Sequence, residues 1–210
     1  MLIMPKNTVE EIMKARKSVK KYEKGIKIPQ DQIEDILKLA TTAPSAWNLQ
    51  HWRYIVISSE DGKNRLLPIA YNQNQVVDSS VTIVILGDLE ANKSAYEIYN
   101  QAVKEGHMNQ QVCETLIDQI ESAYKHNKSF ARDEAILNSS LFAMQIMLSA
   151  KSKGYDTCAM GGFNKAALIK ELNISSRFVP VMLLTIGKAA APAYPSSRIS
   201  LDKLALREEL

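Results

Sequence analysis

Apolar residues recur at helical spacing, run on without a break, or show no period, and these three textures divide the chain. Ile33, Ile36, Leu37 and Ala40 fall at i, i+3, i+4 and i+7. They predict the buried stripe of a helix that Pro29 opens and that ends near 42–43, because Pro44 disfavours a helical residue before it. Upstream, Thr8 and Glu11 make a capping box, so a first helix starts near Val9 and offers Val9, Ile12 and Met13 to a core. Residues 53–58 alternate as a strand does, Tyr54 and Val56 to one face, Ile55 and Ile57 to the other. Asp61 is placed to cap a short helix through Leu67. Residues 81–86 are continuously apolar and predict a strand buried on both faces. Two more strands are expected at 157–159 and 179–186, with Asn164 capping a helix over 165–172 between them. The stretch 135–152 is apolar nearly all round, as in a central or interface helix, and Gly154 is its C-cap. The order is that of an α/β or α+β sandwich, with helices on both faces of a small sheet.

Other segments lack this order. Residues 43–52, Ala-Pro-Ser-Ala-Trp-Asn-Leu-Gln-His-Trp, have neither period, and Pro, Ser and Asn mark them as a loop. Both tryptophans of the chain lie there. They are either packing anchors or the wall of a pocket that Ser45, Asn48 and Gln50 would make polar. Tyr71-Asn72-Gln73-Asn74-Gln75 is a second polar loop. From 90 to 132 the chain is polar and weakly amphipathic, with Tyr96, Tyr99, Val103, Val112, Leu116, Ile117, Ile120 and Tyr124 as its apolar positions. It reads as two helices outside the main sheet, a lid or excursion. The tail, 189–210, is rich in Ala, Pro and Ser and ends in a polar helical stub.

With 210 residues, 46% of them hydrophobic, the chain suits one compact domain with a sizeable core. A net charge of +3 is too mild to argue for nucleic acid. The apolar start, Met-Leu-Ile-Met, is too short for a signal peptide, and no window approaches the roughly 20 apolar residues of a membrane helix. A cytoplasmic protein with no membrane partner is expected. Cys113 and Cys158 are far apart, without CxxC or a histidine at metal spacing, and read as reduced thiols rather than metal ligands. His51, His107 and His126 are isolated and read as solvent-facing rather than catalytic. There is no GxGxxG after a strand, no P-loop and no GxSxG elbow.

What remains is scattered. Arg16-Lys17-Ser18-Val19-Lys20-Lys21-Tyr22 follows the first helix. It is either a solvated basic helix end or an anion site, with Arg for bidentate phosphate binding and Ser as a neutral donor. Without a glycine-rich cradle, a phosphate needs side-chain cations, and Arg16, Lys17 and Arg198, with Ser18, are available. Asn and Gln amides suit a heterocycle of alternating donors and acceptors. The diglycine Gly161-Gly162 lets backbone N–H groups approach a flat ring. Together these parts suit a phosphorylated planar cofactor such as FMN.

Four of these stretches carry a resemblance to the FMN-dependent nitroreductase family, nearly end to end. Arg16-Lys17-Ser18-Val19-Lys20-Lys21-Tyr22 resembles the family's R-[RHK]-S-x-[RK]-x-[FY] opening. Residues 43–52 are similar to its A-P-S-S-x-N-x-Q-P-W loop. Asn72-Gln73-Asn74-Gln75 stands where the family has an Asn-containing flavin loop, and Met160-Gly161-Gly162-Phe163 resembles the segment that passes the flavin ring. The N-Q-x-Q-V and M-G-G-F forms are similar in particular to the small bacillus-type NAD(P)H nitroreductases.

The resemblance implies a nitroreductase-like α+β fold over 1–210, with a small mixed sheet flanked by helices and a lid at 90–132. It implies a homodimer with FMN at the interface, and a C-terminal extension, 189–210, laid on the partner subunit. By the same resemblance Arg16, Lys17, Ser18 and Lys20 bind the phosphate, ribityl and pyrimidine ends of the cofactor. Pro44, Ser45 and Asn48 come from the other subunit. Asn72 and Gln75 face the pyrimidine edge, Gly161 and Gly162 present N–H groups to N5, and Arg198 closes on the phosphate. The activity implied is ping-pong hydride transfer from NADH or NADPH through flavin N5 to a nitroaromatic, a quinone or another flavin. Trp47, Tyr71 and the lid would set acceptor choice, and no side-chain acid or base is required. The alternatives are an FMN-binding redox-responsive protein with little turnover, and a flavin-fragmenting or dehalogenating branch. The chain departs from the pattern where His51 replaces a Pro, its ring expected to point outward. It departs again where Gln75 and Gly161 stand in place of the Lys and Glu of some relatives. Lys20 is thereby left as the cation nearest N1 and O2.

Overall fold

All eight residues of β2 (Val81–Asp88) are buried, and the molecule is layered on both sides of that strand. The computed structural model describes residues 8–126, 129–206 and 208. The apolar start at 1–6, and the outer limits expected for the domain and tail, lie outside them. The sheet runs in the order β1 (Trp52–Ile57), β2, β4 (Phe178–Gly187), β3 (Asp156–Met160). Every neighbouring pair is antiparallel. The expected mixed sheet is therefore corrected: the parallel component is an isolated bridge between Ser18 and Thr157. The first basic stretch is too short and too hydrophilic to add a full strand there.

Alternation along β2 divides the core. Val81, Ile83 and Ile85 face α2 (Gln30–Ala40) and α7 (Phe130–Ser152), packing on Ile33, Ile36, Phe142 and Ile146. Val84 and Leu86 face α3 (Glu60–Ile69), α4 (Gln75–Asp78) and α8 (Lys165–Glu171), packing on Leu66, Val76 and Leu168. The predicted stripe Ile33, Ile36, Leu37, Ala40 is buried as a whole. On the α7 face Trp52 stacks on Phe142 with ring centroids 5.0 Å apart, a contact worth about 1 kcal/mol beyond its area.

Several boundaries move. α1 (Val9–Ala15) has its capping box but buries none of its residues, and Val9 and Met13 are exposed. The cap of α3 is Ser59, whose hydroxyl accepts from Gly62 N–H at 3.1 Å, and not Asp61. The second polar loop ends sooner than its composition suggests, because Gln75 begins α4. α7 starts five residues before the fully apolar run, at Phe130. Its end is as read: Gly154, at φ 78°, donates to Lys151 O and Tyr155 to Ala150 O, so carbonyls of the last turn are satisfied.

The excursion is α5 (Ala95–Lys104) and α6 (Gln110–His126). It has a small core of its own, with Tyr99, Cys113, Ile117 and Ile120 around the inserted Leu49. β3 ends at Met160 opposite Leu183, so over 178–182 one side of β4 has no paired strand among the described residues. Pro180 and a register shift are accommodated there, where a missing N–H costs no ladder bond. No helix among the described residues is long and apolar enough to cross a membrane.

α7 crosses β2 so closely that a Cβ on Gly87 would stand 2.7 Å from the Ala135 carbonyl oxygen. The neighbour is backbone and cannot swing away. Gly87→Ala is expected to cost about 2 kcal/mol, read as a lower midpoint of thermal unfolding than that of the wild type.

Candidate functional site

The basic stretch starts at the C-cap of α1, Arg16, and runs on well past it. α1 stops at Ala15, Arg16 is extended, and residues 16–22 pass along the free margin of β3. Val19 N–H donates to Thr157 O at 2.9 Å, and the phenol of Tyr22 meets Thr185 Oγ1 at 2.9 Å. Val19 and Tyr22 are buried, so the polar residues between and before them are turned outward. Burial pushes the Tyr22 phenol up and keeps it neutral, with the Thr185 hydrogen bond opposing. Arg16 is half-buried, Lys17, Ser18 and Lys20 are exposed, and none of these cations has an acidic partner among the described residues. Lys20 lies near Cys158, where its charge partly offsets the burial that pushes that thiol up.

The diglycine turn continues the same margin. Gln73 Nε2 donates to Gly162 O at 2.9 Å and to Ala70 O at 3.0 Å. Gln75 is buried, its amide turned to Gln73 Oε1 at 3.1 Å and Met160 Sδ at 3.2 Å. The Asn72 side chain is exposed, on a backbone at φ 57°. The structure thus brings Arg16, Lys17, Ser18, Lys20, Asn72, Gln75, Gly161 and Gly162 to one margin of the sheet. Neither Gly161 nor Gly162 N–H donates to a group of the described chain, and a Cβ on either would meet nothing within 4 Å. Unpaired cations on the same margin as two free N–H groups over open space fit a flat ligand with an anionic end.

Pro44, Ser45 and Asn48 are elsewhere. Met160 pairs with Leu183, Leu183 with Val84, and Val84 with Ile55. Three strand spacings, about 14 Å, therefore lie between the diglycine turn and β1, and the loop is beyond the far end of β1. It is held there by Ala46 N–H on Asn138 Oδ1 at 2.9 Å, while Gln50 N–H on Ser45 Oγ at 3.0 Å closes the loop on itself. Arg198 is also apart from the rest, exposed on the tail and bonded to the carbonyls of Ser196 and Ser197. One chain does not assemble all of the predicted residues.

The far corner holds a charge cluster that sequence reading missed. Asp88 is fully buried and receives Arg177 through two bonds of 2.7 Å, with Arg53 at 3.2 Å. Arg53 also donates to the carbonyls of Gln50 and Trp52, tying the loop to the sheet. Arg177 is 89 residues from Asp88, and no local pattern announces the pair.

His51 corrects an expectation. It is completely buried, with Nε2 3.0 Å from the Tyr124 hydroxyl and Nδ1 unpartnered. The closing group, Tyr124, comes from α6, 73 residues on, so isolation in sequence did not mean exposure. Burial pushes the imidazole down to about 4, against the pull of Asp88 and with a smaller push from Arg53. An idle lone pair costs less than an orphaned N–H, so the tautomer with Nε2–H donating to Tyr124 is favoured.

The model of the nitroreductase family matches residues 13–188. "Putative NAD(P)H nitroreductase YodC" of Bacillus subtilis is 50% identical over 198 residues, 94% of this chain and 97% of that protein. Among solved structures, a "putative nitroreductase in complex with FMN" from Exiguobacterium sibiricum has a TM-score of 0.90 at 39% identity. The match covers 96% of this chain and 98% of that one. A "putative NAD(P)H:FMN oxidoreductase" from Staphylococcus epidermidis also has a TM-score of 0.90, at 36% identity over 100% of both chains.

The buried histidine gives a signed pH dependence. In the unfolded chain the imidazole takes up its proton near the ordinary 6.5, in the folded chain only near 4. Between these values the unfolded state holds more protons, so acidification favours unfolding, and the stabilisation is complete above 6.5. The wild type is expected to lose about 2 kcal/mol more than His51→Gln between pH 7 and pH 5. Chemical denaturation at the two pH values checks it, and equal losses would refute the assignment.

Proposed function

The chain belongs to the nitroreductase family, and from that premise we propose that it is an FMN-dependent oxidoreductase of small electron acceptors, working as a homodimer. When bound, FMN supplies a carrier that accepts hydride from NADH or NADPH and delivers it to the acceptor in a separate half-reaction. The observation that carries the reading is the division of the site between the two margins of the sheet. At the β3 margin, unpaired cations and free N–H groups fit a flat anionic ligand. The residues needed to complete the contact, Pro44, Ser45 and Asn48, are on a loop that the same chain holds about 14 Å or more away. A second copy supplies them.

The surface supports the pairing. α7 exposes Leu137, Leu141 and Met144, and beside it Val9, Met13 and Leu39 are exposed. A face of this kind is costly to leave in water and is the expected core of a subunit interface. The tail after 193 exposes Tyr194, Ile199, Leu201 and Leu204. An apolar arm with no surface of its own to cover suits an extension laid on the partner, where Arg198 would reach the phosphate.

The chain's residues then have separate tasks. Arg16, Lys17 and Ser18 hold the phosphate and ribityl end. Gly161 and Gly162 direct N–H groups at the ring, at a turn that Gln73 keeps in place. Asn72, together with the pocket wall that includes Gln75, orients the pyrimidine edge. Lys20 places a cation where negative charge accumulates on reduction. Acceptor choice is left to the exposed surfaces at Tyr71 and Trp47 and to the excursion. The buried thiols of Cys113 and Cys158 suit a cytoplasmic setting.

The test is the visible spectrum of the purified protein, followed by anaerobic titration with each pyridine nucleotide. The flavin band is expected, and either NADH or NADPH should bleach it. If FMN binds and neither nucleotide bleaches it, the protein is a flavin-binding module and not an oxidoreductase. Arg16→Ala is expected to raise the dissociation constant for FMN about tenfold, by loss of a charge-assisted contact. Lys20→Met should lower the midpoint potential of the bound flavin, and an unchanged or higher value would remove Lys20 from that role.

A further inference from the structure

The loop over 45–51 is strained and does not hold itself. Trp47, Asn48 and Gln50 stand at φ 49°, 56° and 51°, left-handed values at three residues that are not glycine. Each costs of order 1 kcal/mol or more and persists only where surrounding structure imposes it. Within the loop, Leu49 N–H donates to Ala46 O and Gln50 N–H to Ser45 Oγ, which close the turn without fixing either end to the fold.

Outside the loop, Ala46 N–H on Asn138 Oδ1, Arg53 on Gln50 O and Asp88 N–H on His51 O secure its ends, and the excursion secures its middle and its Leu49. Leu49 is fully buried in its core, against Tyr99, Cys113, Ile117 and Ile120. On one side of Leu49, the Tyr99 hydroxyl of α5 donates to Trp47 O at 3.0 Å. On the other, the Tyr124 hydroxyl of α6 meets His51 Nε2 at 3.0 Å. Both phenols are pushed up by burial and stay neutral, so both contacts persist through the ordinary pH range. Between the two clasps, Asn48 is exposed, and its side chain makes no hydrogen bond among the described residues.

We propose that Tyr99 and Tyr124 are positioning residues that, acting through Trp47 and His51, hold Asn48 in the shape in which it meets the cofactor seated on the partner subunit. The excursion is then the scaffold of the cofactor loop and not a lid that swings over it. The proposal rests on the FMN reading above. It follows from where the bonds are: a helix pair that must open and close would not be fastened by its own part-buried hydroxyls to a strained loop on both sides of Leu49.

The experiment measures FMN affinity by fluorescence and thermal stability on the intact protein. Tyr99→Phe and Tyr124→Phe each delete one hydroxyl and keep the ring, including the edge-on contact of Tyr124 with Phe130 at 5.5 Å. Each is expected to raise the dissociation constant for FMN about fivefold, the value of one hydrogen bond. In an Asn48→Ala background, which itself weakens FMN binding, Tyr99→Phe should add less than about twofold, because the two changes remove one contact. Unchanged affinity in the tyrosine variants, with only a lower melting temperature, would reduce both hydroxyls to structural bonds and overturn the proposal. A second measurement uses the wild type alone: FMN should slow amide exchange in residues 46–51 and in α5 and α6 together. Slowing confined to the loop would also overturn it. Wild-type protein that binds no FMN would overturn the functional reading and this proposal together. FMN bound normally by all the variants would overturn this one only.

Discussion

Four strands in the order β1–β2–β4–β3 set a width that no side chain of this molecule spans. The basic stretch and the diglycine turn are fastened to one margin, through Val19 on Thr157 and Gln73 on Gly162. The loop of Ser45 and Asn48 is fastened beyond the other, through Ala46 on Asn138. β2, buried on both faces, keeps the two apart, since bending it would expose both cores at once. On the proposed reading each chain carries two half-sites, and a second copy brings them together.

The loop's margin depends on a buried carboxylate. Asp88 would be prohibitively costly to desolvate alone, and its two short bonds to Arg177 answer most of that cost. Arg53 adds a third contact and directs the rest of its guanidinium to the carbonyls of Gln50 and Trp52. One corner thus joins β2, the approach to β4, β1 and the end of the loop. His51 sits against this corner, where the pull of Asp88 towards the charged form exceeds the push of Arg53, so its neutrality is set by its burial.

The sequence made the regular elements legible because their signals are local. The stripe from Ile33 to Ala40, the Thr8–Glu11 box, Asn164 as a cap and the apolar run at 81–86 each depend on residues within a turn or two of one another. What was illegible depends on distance along the chain. His51 read as outward because Tyr124 lies 73 positions on. The Asp88–Arg177 pair was invisible for the same reason. The exposure of Val9 and Met13 has a different cause: their spacing marks an apolar face correctly, but periodicity does not say whether that face meets its own chain or another. The mixed sheet came with the family resemblance, and the chain by itself forms only the antiparallel ladders and one parallel bridge. For the site, residue types and motif order were informative and their grouping was not. Nothing in the order of Arg16, Asn48 and Gly161 says which two share a margin.

The two margins carry different kinds of cost. At β3 it is electrostatic: Arg16, Lys17, Lys20 and Lys21 crowd a few residues without an acid between them. At the loop it is conformational: three left-handed backbones are kept in place by tyrosine hydroxyls. Neither improves the isolated chain, and single domains have little stability to give away. Both fall when the margins meet across a shared ligand, since an anion offsets the cations and new contacts brace the loop. On this reading the free energy of folding, pairing and cofactor binding is linked, and each event strengthens the others by mass action. In the proposed dimer the exposed apolar face of α7 would bring two copies together, and a flat anionic molecule between them would satisfy the groups left unpaired at the margins.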